Sequence, residues 1–167
     1  MSVSISLCAA IISILPLNNY QEKKACEYAP IIEKYSKLNN LEPELVAAVM
    51  YTESGFYKTV VSKAGACGLM QIIPKWTGYA ATNKIKYTCA QLKNPKTAIM
   101  AGARILSYVT KVYAKGNIDK GICYYNAGNR CIDKKRKNLH KKLGYVKKVK
   151  KIRDLIKSAR LVILEKG

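Results

Sequence analysis

The sequence predicts a mainly α, single-domain protein with one small irregular or β-like patch over residues 56–73. Three observations predict it. Apolar residues recur at three- and four-residue steps along most of the chain after residue 20. Runs of β-branched residues with strict alternation are scarce. The stretch 56–73 breaks the helical rhythm, with glycines at 65 and 68. A chain of 167 residues suits one domain that buries roughly 68% of its unfolded surface, and no internal repeat or Pro/Ser-rich linker divides it.

The first element is an apolar run from Val3 to Leu17, closed by Pro16. It is short for a bilayer span and suits the core of a secretory signal. No Lys or Arg precedes it, and no clear small-x-small cleavage site follows. Residues 1–20 therefore read as a signal peptide or as an apolar N-terminal helix, and 21–167 as the domain proper. Next, Tyr28, Ile31, Ile32 and Tyr35 recur at helical spacing. Pro43 suits the first turn of a second helix, because its missing N–H is an orphan there anyway. Glu42 and Glu44 suit the positive end of that helix. It runs through Leu45, Val46, Val49, Met50 and Glu53 on one face and ends at Gly55. Trp76 to Thr82 reads as a short helix after Pro74. Pro95 opens a longer one with Ile99, Gly102, Ala103, Leu106, Val109 and Tyr113 on one face. Gly102 costs about 1 kcal/mol against Ala in a helix, which close backbone packing would justify. Asn117 or Asp119 caps a further helix ending near Gly128. The last, about 145–164, aligns Val146, Val149, Ile152, Leu155, Ala159 and Val162.

Lys and Arg outnumber Asp and Glu by 30 to 10. Such a charge suits a polyanionic partner: nucleic acid, anionic lipid or an anionic cell-wall polymer. From Arg130 to Arg153 there are twelve Lys or Arg and one acid, Asp133. A solvated face explains the run as well as attraction to a polyanion does, and no base-reading motif accompanies it, so no nucleic-acid partner is expected. The six cysteines show no CxxC pair, and with one His (His140) no metal site and no cofactor are expected. In an exported protein, Cys26, Cys67, Cys89, Cys123 and Cys131 would give two disulfides and one odd thiol; otherwise they are small buried hydrophobes.

Three elements can carry chemistry. Glu53 ends an apolar stripe, and a carboxyl beside Val49 and Met50 is desolvated, which disfavours its charged form and suits a general acid. The loop Ser62–Pro74 offers two glycines and the amide of Gln71. Tyr125 and Asn126, at a helix end, can present polar groups to a cleft. From Ser54 to Ile118 there is no Asp or Glu, so an acid at Glu53 acts without a neighbouring carboxylate in sequence. The bland readings are a polar helix end, a tight turn and core tyrosines.

In this order the three elements resemble the soluble lytic transglycosylase family, which shares its fold with goose-type lysozymes. Glu53-Ser54-Gly55 looks like the family's catalytic Glu-Ser element. Ser62 through Pro74 matches every fixed position of Ser-x-x-Gly-Ala-x-Gly-Leu-Met-Gln-Ile-x-Pro. Tyr125-Asn126-Ala127-Gly128 resembles its Tyr-Asn-Ala-Gly element, and Tyr145-Val146 with Val149 its closing Tyr-Val-x-x-Val. Asn94-Pro95 with Ile99, Gly102 and Leu106 resembles the intervening helix. The resemblance covers about residues 25–153. It implies a lysozyme-like fold and cleavage of the β-1,4 bond between N-acetylmuramic acid and N-acetylglucosamine in peptidoglycan, leaving 1,6-anhydromuramyl ends. It also implies Glu53 as acid, then base, with Ser62, Gln71 and Tyr125 positioning it and the N-acetyl group. Asn126 is carried over as a substrate contact, as is the Ile73 carbonyl. A classical glycosidase uses two carboxylates; a substrate that supplies its own nucleophile suits a lone acid. The chain departs from the family at Ala98, commonly Asn, at Tyr124, where the family has a small Ala, and at Lys141-Lys142. The implied setting is an exported monomer in the periplasm or cell-wall space, serving a secretion or conjugation apparatus or a phage. The rival readings are a hydrolytic goose-type lysozyme and a non-catalytic basic binding protein for cell wall or nucleic acid.

Overall fold

The computed structural model describes residues 3–131 and 138–166. Eight α-helices carry the fold among them: α1 Val3–Ile14, α2 Asn19–Leu38, α3 Pro43–Ser54, α4 Cys89–Leu92, α5 Pro95–Tyr108, α6 Ile118–Ala127, α7 Leu139–Lys142 and α8 Gly144–Lys166. Their ends follow local chemistry. Asn18 caps α2 in a reciprocal capping box with Gln21. Pro43 starts α3, and Gly55, at φ +58°, stops it in the left-handed region. Asn94 and Asn117 accept from Thr97 N and Lys120 N to cap α5 and α6.

The helix α3 is the centre of the domain. Its residues Leu45 through Met50 are all buried, the pattern of a helix enclosed on every side. It packs on α2 and α8, and α1 packs on α2 and α8. The β-like patch is present as expected: isolated bridges pair Val61 with Cys67 and Cys67 with Ile72. Met70, fully buried, fixes this loop on α5; a Cβ on Gly102 would come within 2.6 Å of its side chain, which is why glycine stands there.

Four expectations are corrected. Residues 76–82 form not one helix but parts of two 3₁₀ turns, Pro74–Trp76 and Ala80–Thr82. The chain after α5 passes through a π-turn, Val109–Tyr113, whose extra residues per turn shift the register and carry Tyr113 off the buried stripe to 44% exposure. On α8 the buried face is Val146, Val149, Ile152, Ile156 and Arg160, while Leu155 and Val162 are exposed. A regular 3.6-residue repeat favours that set over repeated three-residue steps. Arg160 is buried because its guanidinium donates to Glu44 Oε1 at 2.6 Å, to Ser6 Oγ at 3.0 Å, to the Val3 carbonyl at 3.0 Å and to Glu33. One side chain thus joins α1, α2, α3 and α8.

The fourth correction concerns cysteine pairing. All six cysteines are bridged: Cys8–Cys26, Cys67–Cys89 and Cys123–Cys131. The expected set of five leaves out Cys8; here the apolar run forms α1, with Leu7, Ala10 and Ile11 fully buried, and Cys8 enters the pairing. Non-reducing peptide mapping should find these three bridges. Opening Cys67–Cys89 by paired Ser substitution should cost about 2–4 kcal/mol in chemical denaturation.

Candidate active site

The last turn of α3 carries Glu53 out of the core into a cleft of about 890 Å³. One wall is the loop with Ser62, Gln71 and Ile73; the opposite wall is α6 with Tyr124, Tyr125 and Asn126. Trp76 and Tyr79, 63% and 64% exposed, also line the cleft. Among the described residues lining it, Glu53 is the sole carboxylate.

Glu53 is half-buried, and its Oε1 accepts a 2.6 Å hydrogen bond from the Tyr145 hydroxyl. Burial raises its carboxyl above the usual range; the Tyr145 bond favours the charged form and opposes this more weakly. Burial first, and the nearby Glu53 charge second, push the Tyr145 phenol well above its ordinary value, so it remains a donor. The Tyr125 phenol is raised in the same way. Glu53 is thus an acid whose pKa burial raises, held at one oxygen by Tyr145, with the other left for proton transfer.

All six residues singled out from sequence line this cleft, and the hydrogen bonds of four of them run to the loop backbone. Ser62 Oγ accepts from Ala66 N at 3.1 Å, closing its own turn. Gln71 donates Nε2 to the carbonyls of Val60 (3.1 Å) and Gly68 (2.9 Å), bracing the loop and leaving Oε1 as its acceptor. Tyr125 donates to the Met70 carbonyl at 2.8 Å rather than to Glu53. The Ile73 carbonyl accepts from Trp76 N at 3.0 Å, opening the first 3₁₀ turn. Asn126 is exposed on the α6 wall. The residue that holds the acid is Tyr145, at the start of α8. Sequence reasoning places it in the closing Tyr-Val pair without a partner, because nothing local ties it to a residue 92 positions away.

Of the two acids without a role in the sequence pattern, Asp119 is in an ion pair with Lys150, 2.6 Å apart and outside the cleft. Asp133 lies outside the described residues.

Tyr145→Phe tests the arrangement. Removing a bond that lowers the Glu53 pKa should raise that pKa further, so the alkaline limb of the pH–rate profile moves to higher pH. The rate should fall about tenfold, since hydrogen bonds to charged groups contribute about 1.5–3 kcal/mol. An unmoved limb would show that the hydroxyl does not touch the acid.

A small helical domain with a single half-buried acid in an open cleft is a lysozyme-like arrangement. The chain belongs to the transglycosylase SLT domain family, whose model matches residues 30–147. It is 34% identical over 107 residues to the endo-type membrane-bound lytic murein transglycosylase A of Klebsiella pneumoniae, covering 62% of this chain and 53% of that protein. It is 30% identical over 109 residues to the membrane-bound lytic murein transglycosylase C of Actinobacillus pleuropneumoniae, covering 63% of this chain and 30% of that one. The chain thus spans about half the length of the first and under a third of the second. The fold matches the 70 kDa soluble lytic transglycosylase of Escherichia coli with a TM-score of 0.65 at 24% identity, over 78% of this chain and 24% of that chain.

Proposed function

We propose that this protein is a peptidoglycan lytic transglycosylase. One observation carries the reading: a half-buried, Tyr145-held Glu53, its pKa raised by burial, in a cleft with no second carboxylate among its described lining. In the proposed reaction, Glu53 gives its proton to the glycosidic oxygen and the bond from C1 of N-acetylmuramic acid to that oxygen breaks. The resulting carboxylate then takes the proton of the C6 hydroxyl as O6 bonds to C1. Glu53 ends protonated, one bond has been exchanged for another, and no water is consumed. Relatives named as lytic murein transglycosylases support the substrate class. Analysis of digested peptidoglycan by mass spectrometry tests it: anhydromuramyl ends are expected, reducing ends would mean a lysozyme, and intact polymer a binding protein.

The setting is proposed as the periplasm or cell-wall space, with the protein acting as a monomer and opening the wall for a secretion or conjugation apparatus. Three disulfides support an oxidising compartment. Among the described residues no helix is long and apolar enough to cross a membrane. Of the two readings of residues 1–20, the packing and disulfide of α1 support a helix that stays with the domain.

Part of the Arg130–Arg153 run, residues 132–137, lies outside the described residues. On α8, Lys147, Lys148 and Lys151 are exposed, whereas Lys150 is held by Asp119. Replacing those three exposed lysines with Gln should weaken binding to whole sacculi at low salt. It should leave cleavage of short soluble glycans unchanged, and the wild-type advantage should vanish near 1 M salt, where the Debye length is about 3 Å. No loss on sacculi would leave them as solvating charges.

A further inference from the structure

The α6 wall carries a feature that the reaction above does not use. Tyr124, at a position where the family motif has a small residue, stacks on Tyr113 with ring centroids 4.7 Å apart and planes 12° from parallel. Tyr108 and Tyr113 meet edge to face, with centroids 5.8 Å apart and planes at 75°. All three rings line the cleft. Two local devices bring them together. The π-turn Val109–Tyr113 swings Tyr113 outward, and such turns are frequent at functional sites. Gly121 lets α6 press on that turn, since a Cβ there would lie 2.0 Å from Thr110 Oγ1. The Tyr124 hydroxyl donates to Asn129 Oδ1 at 2.7 Å, fixing the outer ring.

These rings are not core. Tyr113 is 44% exposed and Tyr124 half-buried, so aromatic surface stays open inside a cleft. The platform and the acid share one cleft: Glu53, Tyr113 and Tyr124 all line it.

We propose that Tyr113 and Tyr124 form a stacking platform for the ring of an N-acetylhexosamine, a subsite in the same cleft as Glu53 that sets how tightly a glycan strand is held. In a β-1,4-linked N-acetylhexosamine the large substituents are equatorial, so each face of the ring presents axial C–H groups. These pack against the electron-rich face of an aromatic ring, and the phenol hydroxyls can bond the sugar's hydroxyl or amide groups. Because the stack and the Asn129 bond already order the rings, binding loses little side-chain entropy. The inference rests on the peptidoglycan reading for its substrate class.

The test uses the full chain with Glu53→Gln, so that no turnover occurs, titrated with the β-1,4-linked N-acetylglucosamine hexamer in a calorimeter. Tyr124→Ala and Tyr113→Ala should each weaken binding about tenfold, the upper range for an aromatic contact. Tyr124→Phe, which keeps the ring, should stay within about twofold of the parent. Circular dichroism identifies any variant that fails to fold. If Tyr124→Ala fails to fold, Tyr113→Ala, at a half-exposed ring, decides the outcome. With Glu53 restored, KM for soluble glycan chains should rise about tenfold and kcat change less than about twofold. Parent-like affinity in both Ala variants would overturn the platform, as would a parent that does not bind the hexamer. The function is judged separately, by anhydromuramyl ends from the wild-type protein: their presence alongside unaffected affinities would overturn the platform alone.

Discussion

Glu53→Gln is expected to lower peptidoglycan cleavage by at least ~100-fold, the scale of a lost general acid, while leaving the fold intact. The amide keeps the size of the side chain and can still accept from Tyr145, so substrate binding should persist. The same variant should be more stable than the wild type at neutral pH. The folded-state pKa of Glu53 is raised above its unfolded value, so between the two values the folded state binds more protons. Stability from this group is therefore fully present below the unfolded pKa and is lost as pH rises through the folded one. Gln removes that loss, so the variant's advantage should appear at pH 7 and fade at pH 4. Thermal unfolding at both pH values checks the sign. Near-normal clearing of purified cell walls by the variant would end the assignment of Glu53.

Gly68→Ala is expected to have the largest effect on stability, about 3 kcal/mol or more. Gly68 has φ +73°, and a Cβ there would lie 1.9 Å from the backbone oxygen of Leu92, which cannot move without displacing α4. Left-handed strain and overpacking each cost about 1–3 kcal/mol. The Gly68 carbonyl also accepts from Gln71, so the cleft wall should loosen with the fold. Gly65 is the control: its φ is +79° but nothing lies within 4 Å of its would-be Cβ. Gly65→Ala should therefore cost only the backbone strain, about 1–2 kcal/mol. Urea midpoints with an unchanged slope measure both. Equal, small losses would show that the Leu92 contact is not tight.

The legible parts of this molecule are those specified by neighbours in sequence. Pro43 and Gly55 bound α3, Pro95 opens α5, and Asn117 and Gly128 bound α6; each acts on its own turn. The cleft residues are legible because their spacing matches a motif, and the structure brings all six to one cavity. What is not legible depends on distant partners. Nothing near Arg160 in sequence marks it as buried; Glu33 and Glu44 are placed beside it by α2 and α3. Tyr145 gains its role only when α8 folds back on α3. Cys8, inside the apolar run, finds its partner Cys26 only when α1 packs against α2. Tyr113 leaves its stripe because one π-turn shifts the register, and no residue type marks that turn in advance. The bonds of Gln71 and Tyr125 also escape the motif: both brace the backbone of the loop, so the motif's spacing supports the cleft wall as much as the chemistry.

In the proposed reaction the substrate, and not water, supplies the nucleophile to a lone acid. Digestion of peptidoglycan in water enriched in heavy oxygen tests it most directly. Muramyl ends with no heavy oxygen are expected, each lighter by one water than a reducing end. One heavy oxygen in each new end would show that water attacks C1, and would make this protein a hydrolase.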